Sequence, residues 1–355
     1  MAYPTSDPFT KLPAELRLHI IMSTTCMTTI SRLIRASPPM LQQYLANKRY
    51  IQRNVIDYDE VMMQDAMAII LIPRLCRTSK KVPDEKAVTR ARTVLQDWSI
   101  GQLPHPIMSD NNTSQLGVLH NKILILAEDY ISKATASFPP REYCCLPQVQ
   151  PPSSANGHLM FKGVKVAPRF NFADLSASEK KRVLKAFLRH ELMCRVSTLF
   201  PDAVDWPMRT SESGIRCEVC PSMPDAVYLP MRSISQAEIE GINCVGDYYC
   251  SLYGAIFAQC SDAQLPSSPD GTSPDETSLE TELEFPDTFL FDGDTYAHRL
   301  NLFGEDPRYE KFPQFTFWFS RLGIDRLTEF LCYDMSKEDG REALKLQIRS
   351  TWFGA

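Results

Sequence analysis

In the run LSASEKKRVLKAFLRHEL, residues 175–192, the large apolar side chains recur every three or four positions. Val183, Leu184, Phe187, Leu188 and Leu192 fall on one face with Glu191 at its edge, a spacing that suits 3.6 residues per turn and excludes a strand. Ser176 and Glu179 form a capping-box pattern, in which hydroxyl and carboxylate each satisfy an orphan backbone N–H. The same period predicts helices over about 60–72, 84–98 and 114–136. The last carries Leu116, Leu119, Ile123, Leu126 and Tyr130 on one stripe, with Lys122 and Glu128 outside it. Another is predicted from about Gly246 to Cys260, and KFPQFTFWFSRLGIDRLTEFLCYD (311–334) reads as a buried helix returning to the core. Few segments alternate as strands do, and no internal repeat is present. The fold class is therefore mostly α, with 26 Pro against 14 Gly ending helices sharply.

Charge is unevenly spread along the 355 residues. The net value of -5 argues against general nucleic-acid binding, which needs a basic face to neutralise phosphates. Residues 261–287 hold eight Asp or Glu and no Lys or Arg, so the remainder stands at +3, that is, -5 minus -8. Such a stretch buries too little apolar surface to offset its ordering entropy, and it is expected to be a disordered acidic loop. Its Ser268-Pro269 and Ser273-Pro274 steps could accept phosphate. Pro4, Asp7 and Pro8 interrupt any signal-peptide pattern, and the apolar run Ala66–Ile72 is too short to span a bilayer. Eleven Cys without small-scaffold spacing read as reduced thiols. Together these features lead to the expectation of a soluble protein of the cytoplasm or nucleus, with no membrane partner.

The N-terminal 55 residues read as a compact three-helix module. Leu16, Ile20 and Ile21 form one group, Ile30, Leu33 and Ile34 a second. Met40, Leu41, Tyr44, Leu45, Ile51 and Val55 continue the pattern in a third helix. Thr28 and Thr29 are candidate N-caps for the middle helix, and Pro38-Pro39 ends it and opens the next. Arg32, Arg35, Lys48, Arg49 and Arg53 make this region locally basic. The expected organisation is a module over 1–55, an irregular α-helical domain over 56–260 and 288–355, and the acidic loop 261–287. Residues 138–172, with six Pro, are expected to form a long surface connection.

Candidate chemistry is sparse. Cys217 and Cys220 have the C-x2-C spacing at which two thiolates reach one tetrahedral zinc ion, and His190 with Cys194 would be the nearest further ligands. The gap of 22 residues between the pairs is irregular, so zinc binding stands only as a minor alternative. HELMC (190–194) lacks the second His of a zinc-protease helix, and His190 reads as an edge residue of a packed helix. No nucleophile elbow and no phosphate-cradling Gly-rich loop is present. Neither an enzyme activity nor a cofactor is expected.

LPAELRLHII, residues 12–21, resembles the start of an F-box, which opens with L-P-x-E-[LI]. The resemblance rests on Leu12, Pro13, Glu15, Leu16, Ile20 and Ile21, and on Leu33, Arg35, Ala36 and Ser37 within ISRLIRASP. It covers the first 40 to 50 residues. The chain as a whole is similar to F-box-like proteins of filamentous fungi, in which a helix like Glu179–Leu192 follows the module. Where the family has D-P between its first two helices this chain has MSTTCMTT, and Pro38-Pro39 stands near the family's usual aromatic. The resemblance implies docking on a Skp-type adaptor of a Cullin–RING ubiquitin ligase, while the remainder recruits a protein substrate. Leu12, Pro13, Leu16, Ile20, Leu33 and Ile34 would form the docking surface or its immediate support. The alternative is a helical interaction protein whose degenerate module does not bind the adaptor.

Overall fold

The computed structural model describes residues 7–24, 27–73, 85–106, 109–135, 143–147, 149, 160–161, 164–165, 172–199, 234–260 and 315–353. The protein is mostly α-helical, as the apolar periodicity predicts. In chain order the helices are α1 (Ala14–Ser23), α2 (Met27–Ala36), α3 (Pro38–Val55), α4 (Glu60–Leu71), α5 (Glu85–Ser99) and α6 (Asp110–Ala134). They continue as α7 (Ala177–Leu199), α8 (Gln236–Cys260), α9 (Phe315–Ser320), α10 (Gly323–Phe330) and α11 (Glu338–Phe353). Among the described residues the one sheet is a two-residue antiparallel pair, Met160–Phe161 with Val164–Lys165.

Helices α1 to α3 pack on one another around a small core of Ile21, Ile30, Met40, Tyr44 and Ile51. Two short-range devices set the angles between them. Asp7 accepts from the Phe9 N–H and from the Ser37 hydroxyl, tying the N-terminal turn to the α2–α3 junction. Ser37 in turn accepts from the Met40 N–H and so caps α3, while Pro38 occupies the first helical position, where a missing N–H costs nothing. The helix kinks at Asn47, whose φ of -122° leaves the helical range. Helix α2 begins at Met27, which places Thr28 and Thr29 inside its first turn rather than at the cap.

The larger core belongs to α4–α11 and is a separate set of buried side chains. Three buried ionic centres fix its helix pairs. Asp65 on α4 accepts from the Trp98 indole N–H of α5 at 2.8 Å and pairs with Arg189 of α7. Asp129 and Lys133 on α6 pair at 2.7 Å with both side chains fully buried, and the Tyr248 hydroxyl of α8 donates to Asp129 at 2.6 Å. Glu191 on α7 accepts from the Ile324 N–H at 2.6 Å, and Arg195 bridges Glu191 to Asp325, which also holds Lys122 of α6.

These pairings define direction. Asp57 and Asp65 face Lys181 and Arg189 in the same order, so α4 runs parallel to α7. Lys185 meets Glu238 and His190 meets Tyr249, so α7 and α8 are parallel as well. A parallel pair cannot be closed by a tight turn, and 36 residues separate Leu199 from Gln236 in sequence. Aromatic side chains join α8 to the C-terminal helices: Phe319 packs on Tyr253 and Phe257, and Trp352 on Phe315.

Three sequence expectations are corrected. Helix α8 starts at Gln236, ten residues before Gly246, behind a second capping box in which Ser235 and Glu238 exchange N–H bonds. The aromatic stretch after Pro313 forms two helices, α9 and α10, broken at Gly323. Part of the presumed surface connection is interior: Cys144, Cys145 and Leu146 are buried, and the carbonyls of Cys144 and Cys145 accept from Gln259 and Lys133. The acidic stretch 261–287 lies outside the described residues.

Candidate partner-binding face

Helix α1 is short, and its helical wheel has no single apolar stripe. Ile21 fills the small core, while Leu18, Ile20 and Met22 pack against it from the sides. Leu16 points away, half exposed at 50%. Pro13 stands at the N-cap without a side-chain hydrogen bond and is exposed, with Leu12 intermediate beside it. On α2, Leu33 and Ile34 flank buried Ile30 and pack inward. The six predicted docking residues therefore divide. Pro13 and Leu16 face outward, Leu12 is partly covered, and Ile20, Leu33 and Ile34 lie beneath as support.

Helix α3 departs from the sequence reading. Met40, Tyr44 and Ile51 turn inward, whereas Leu41 and Leu45 are 41% and 62% exposed. They share a stripe one turn apart, about 100° around the helix from Met40 and Tyr44, and exposed Lys48 follows the kink at Asn47. Within that apolar pattern Met40 and Tyr44 mark the inward row and Leu41 and Leu45 the outward one.

Elsewhere several titratable side chains are buried in the interior. Burial lowers His190 to about 3 and His120 to about 4, so both imidazoles are neutral. His190 is buried, not at a helix edge, with Nδ1 3.7 Å from the Cys194 sulfur and its ring edge-on to Tyr249. A neutral imidazole there cannot act as the cationic partner of a reactive thiolate. Burial would raise Asp325, but Arg195 and Lys122 outweigh it and bring it to about 2. Burial raises Glu191 and Asp65 despite their arginine partners. Cys217 and Cys220 lie outside the described residues, and among the described residues no three His, Cys, Asp or Glu side chains gather at a metal-holding distance.

A cavity of about 480 Å³ opens between the N-terminal halves of α7 and α8 and Tyr130 of α6. Its floor is apolar, with Val183, Ala186, Ile242 and Val245. The Lys185–Glu238 pair lies at its wall, where hydrogen bonds from Lys185 and Ser235 overcome burial and hold Glu238 down to about 2. Lys185, Glu238, Ser235 and Glu179 are committed to one another or to capping and Arg189 to Asp65, and no nucleophile with a base beside it lines the space. Among the described residues no helix is long and apolar enough to cross a membrane.

Compared with known proteins, the chain matches no family model, no curated protein and no solved structure.

Proposed function

We propose that the protein is a partner-binding subunit whose N-terminal three-helix unit docks on a Skp-type adaptor of a ubiquitin ligase. The helical remainder would then hold a protein substrate, and the chain would contribute binding rather than chemistry of its own. The observation that carries this reading is the separateness of the N-terminal unit. It has its own small core, distinct from that of α4–α11, yet leaves Pro13, Leu16, Leu41 and Leu45 exposed. Among the described residues, four of the eight large apolar side chains most open to solvent lie within residues 16–50. A unit this thin cannot cover both faces of its helices, and an uncovered apolar face suits a partner groove.

The inward packing of Ile20, Leu33 and Ile34 favours a second reading, in which the unit only packs and never meets the adaptor. Pull-down of the full chain with purified Skp-type adaptor separates the two. Binding that the Leu12→Ala/Pro13→Ala/Leu16→Asp variant loses supports the adaptor role. Absence of binding by the folded wild type leaves the packing role.

A further inference from the structure

The N-terminal unit is basic in an acidic chain. Residues 1–55 hold seven Lys or Arg against Asp7 and Glu15, a balance of +5, so residues 56–355 carry -10. Asp7 is spent on the Phe9 N–H and the Ser37 hydroxyl. Lys11, Arg32, Arg35 and Lys48 are exposed, and among the described residues none pairs with a carboxylate. In α4–α11, by contrast, Lys122, Lys133, Lys185, Arg189, Arg195 and Arg326 each pair with a carboxylate.

On α3 the unpaired charge continues an uncovered apolar stripe. Leu41 and Leu45 stand one turn apart on the flank of the helix that Met40 and Tyr44 do not bury, and exposed Lys48 follows just past the kink at Asn47. On α2, Arg32 and Arg35 occupy the side opposite buried Ile30. Resting on the adaptor reading above, we propose that the Leu41–Leu45–Lys48 stripe is a docking surface for an acidic amphipathic helix of the partner, with carboxylates meeting Lys48 and the arginines of α2. Apolar contact would set the lifetime of such a complex. Charge would steer its encounter, so the association rate would fall with salt.

The test measures binding of the full chain to purified Skp-type adaptor at NaCl from about 50 to about 500 mM, a range over which surface charge becomes screened. Leu41→Ser/Leu45→Ser is expected to weaken binding about tenfold or more, as truncation of central apolar contacts does. Arg32→Glu/Arg35→Glu/Lys48→Glu is expected to slow association about tenfold at low salt and to flatten the salt dependence. Lys48→Arg is expected to bind as the wild type does. All these positions are exposed, so the helical circular-dichroism signal and melting temperature should hold. If the leucine and charge variants bind like wild type while Leu16→Asp abolishes binding, the stripe is not the docking surface although the adaptor reading stands. If folded wild type does not bind, both fall. If neutralising the acids of 261–287 to Asn and Gln tightens binding about tenfold, the stripe is held by that part of the chain, and the assignment to the partner is overturned.

Discussion

Tyr248 and Tyr253 sit on the same helix, both fully buried, yet their hydroxyls have opposite fates. Tyr248 donates to the buried carboxylate of Asp129 at 2.6 Å, whereas the Tyr253 hydroxyl meets no hydrogen-bond partner among the described residues. A buried hydroxyl without a partner loses its hydration for nothing, so Tyr253→Phe should stabilise the fold by about 1 kcal/mol. Tyr248→Phe should destabilise it by about 2 kcal/mol, because a buried charge loses a donor. Urea denaturation of both variants measures the difference, and equal effects would contradict the pairing. Histidine 190 yields a pH prediction. Its folded value of about 3 lies below the ordinary 6.5, so between these values the unfolded chain binds a proton that the folded one refuses. Its contribution is complete above about pH 6.5 and declines as pH falls, by about 2 kcal/mol at about pH 5. Glu191 and Asp65, raised by burial, act in the opposite sense, and both remain in a His190→Gln variant. That variant should lose less stability between pH 6.5 and 5 than the wild type. An unchanged slope would mean that His190 takes up its proton in the folded state.

At the scale of elements, caps and close approaches decide more than propensity does. Gly323 separates α9 from α10 with φ +78°, and a Cβ there would stand 2.7 Å from a Glu191 carboxylate oxygen. That same carboxylate accepts the Ile324 N–H at the start of α10. Gly323→Ala would strain the backbone and push Glu191 off both Arg195 and the helix terminus, costing about 2 to 4 kcal/mol. A calorimetric melt checks it, and a loss below about 0.5 kcal/mol would show that Glu191 can move aside freely. The capping box at Ser176 and Glu179 was legible in the sequence and forms as read. Its counterpart at Ser235 and Glu238 opens α8 ten residues before the predicted start at Gly246. Gly241 lets α8 lie close to α7, since a Cβ there would touch Ala186 at 3.4 Å.

At the scale of the molecule, two cores imply two cooperative units. Ile30 is fully buried in the small core and absent from the large one. Ile30→Ala, at a cost of about 3 kcal/mol, should speed amide exchange across α1–α3 and leave α6–α8 protected. Exchange that rises throughout would mean a single cooperative unit. The chain itself determined the helical class, most helix positions, the Pro38 junction and the basic character of the first 55 residues, because periodicity, proline and charge act locally along the sequence. It also placed Pro13 and Leu16 among candidate contact residues. Only tertiary packing decided that Leu41 and Leu45 turn outward while Ile20, Leu33 and Ile34 turn in, since an apolar residue reads alike on either flank of a buried stripe. Packing likewise set His190 and Glu191 in the interior. A polar side chain becomes a core residue only when a distant partner, here the Ile324 N–H and Arg195 for Glu191, offsets its burial.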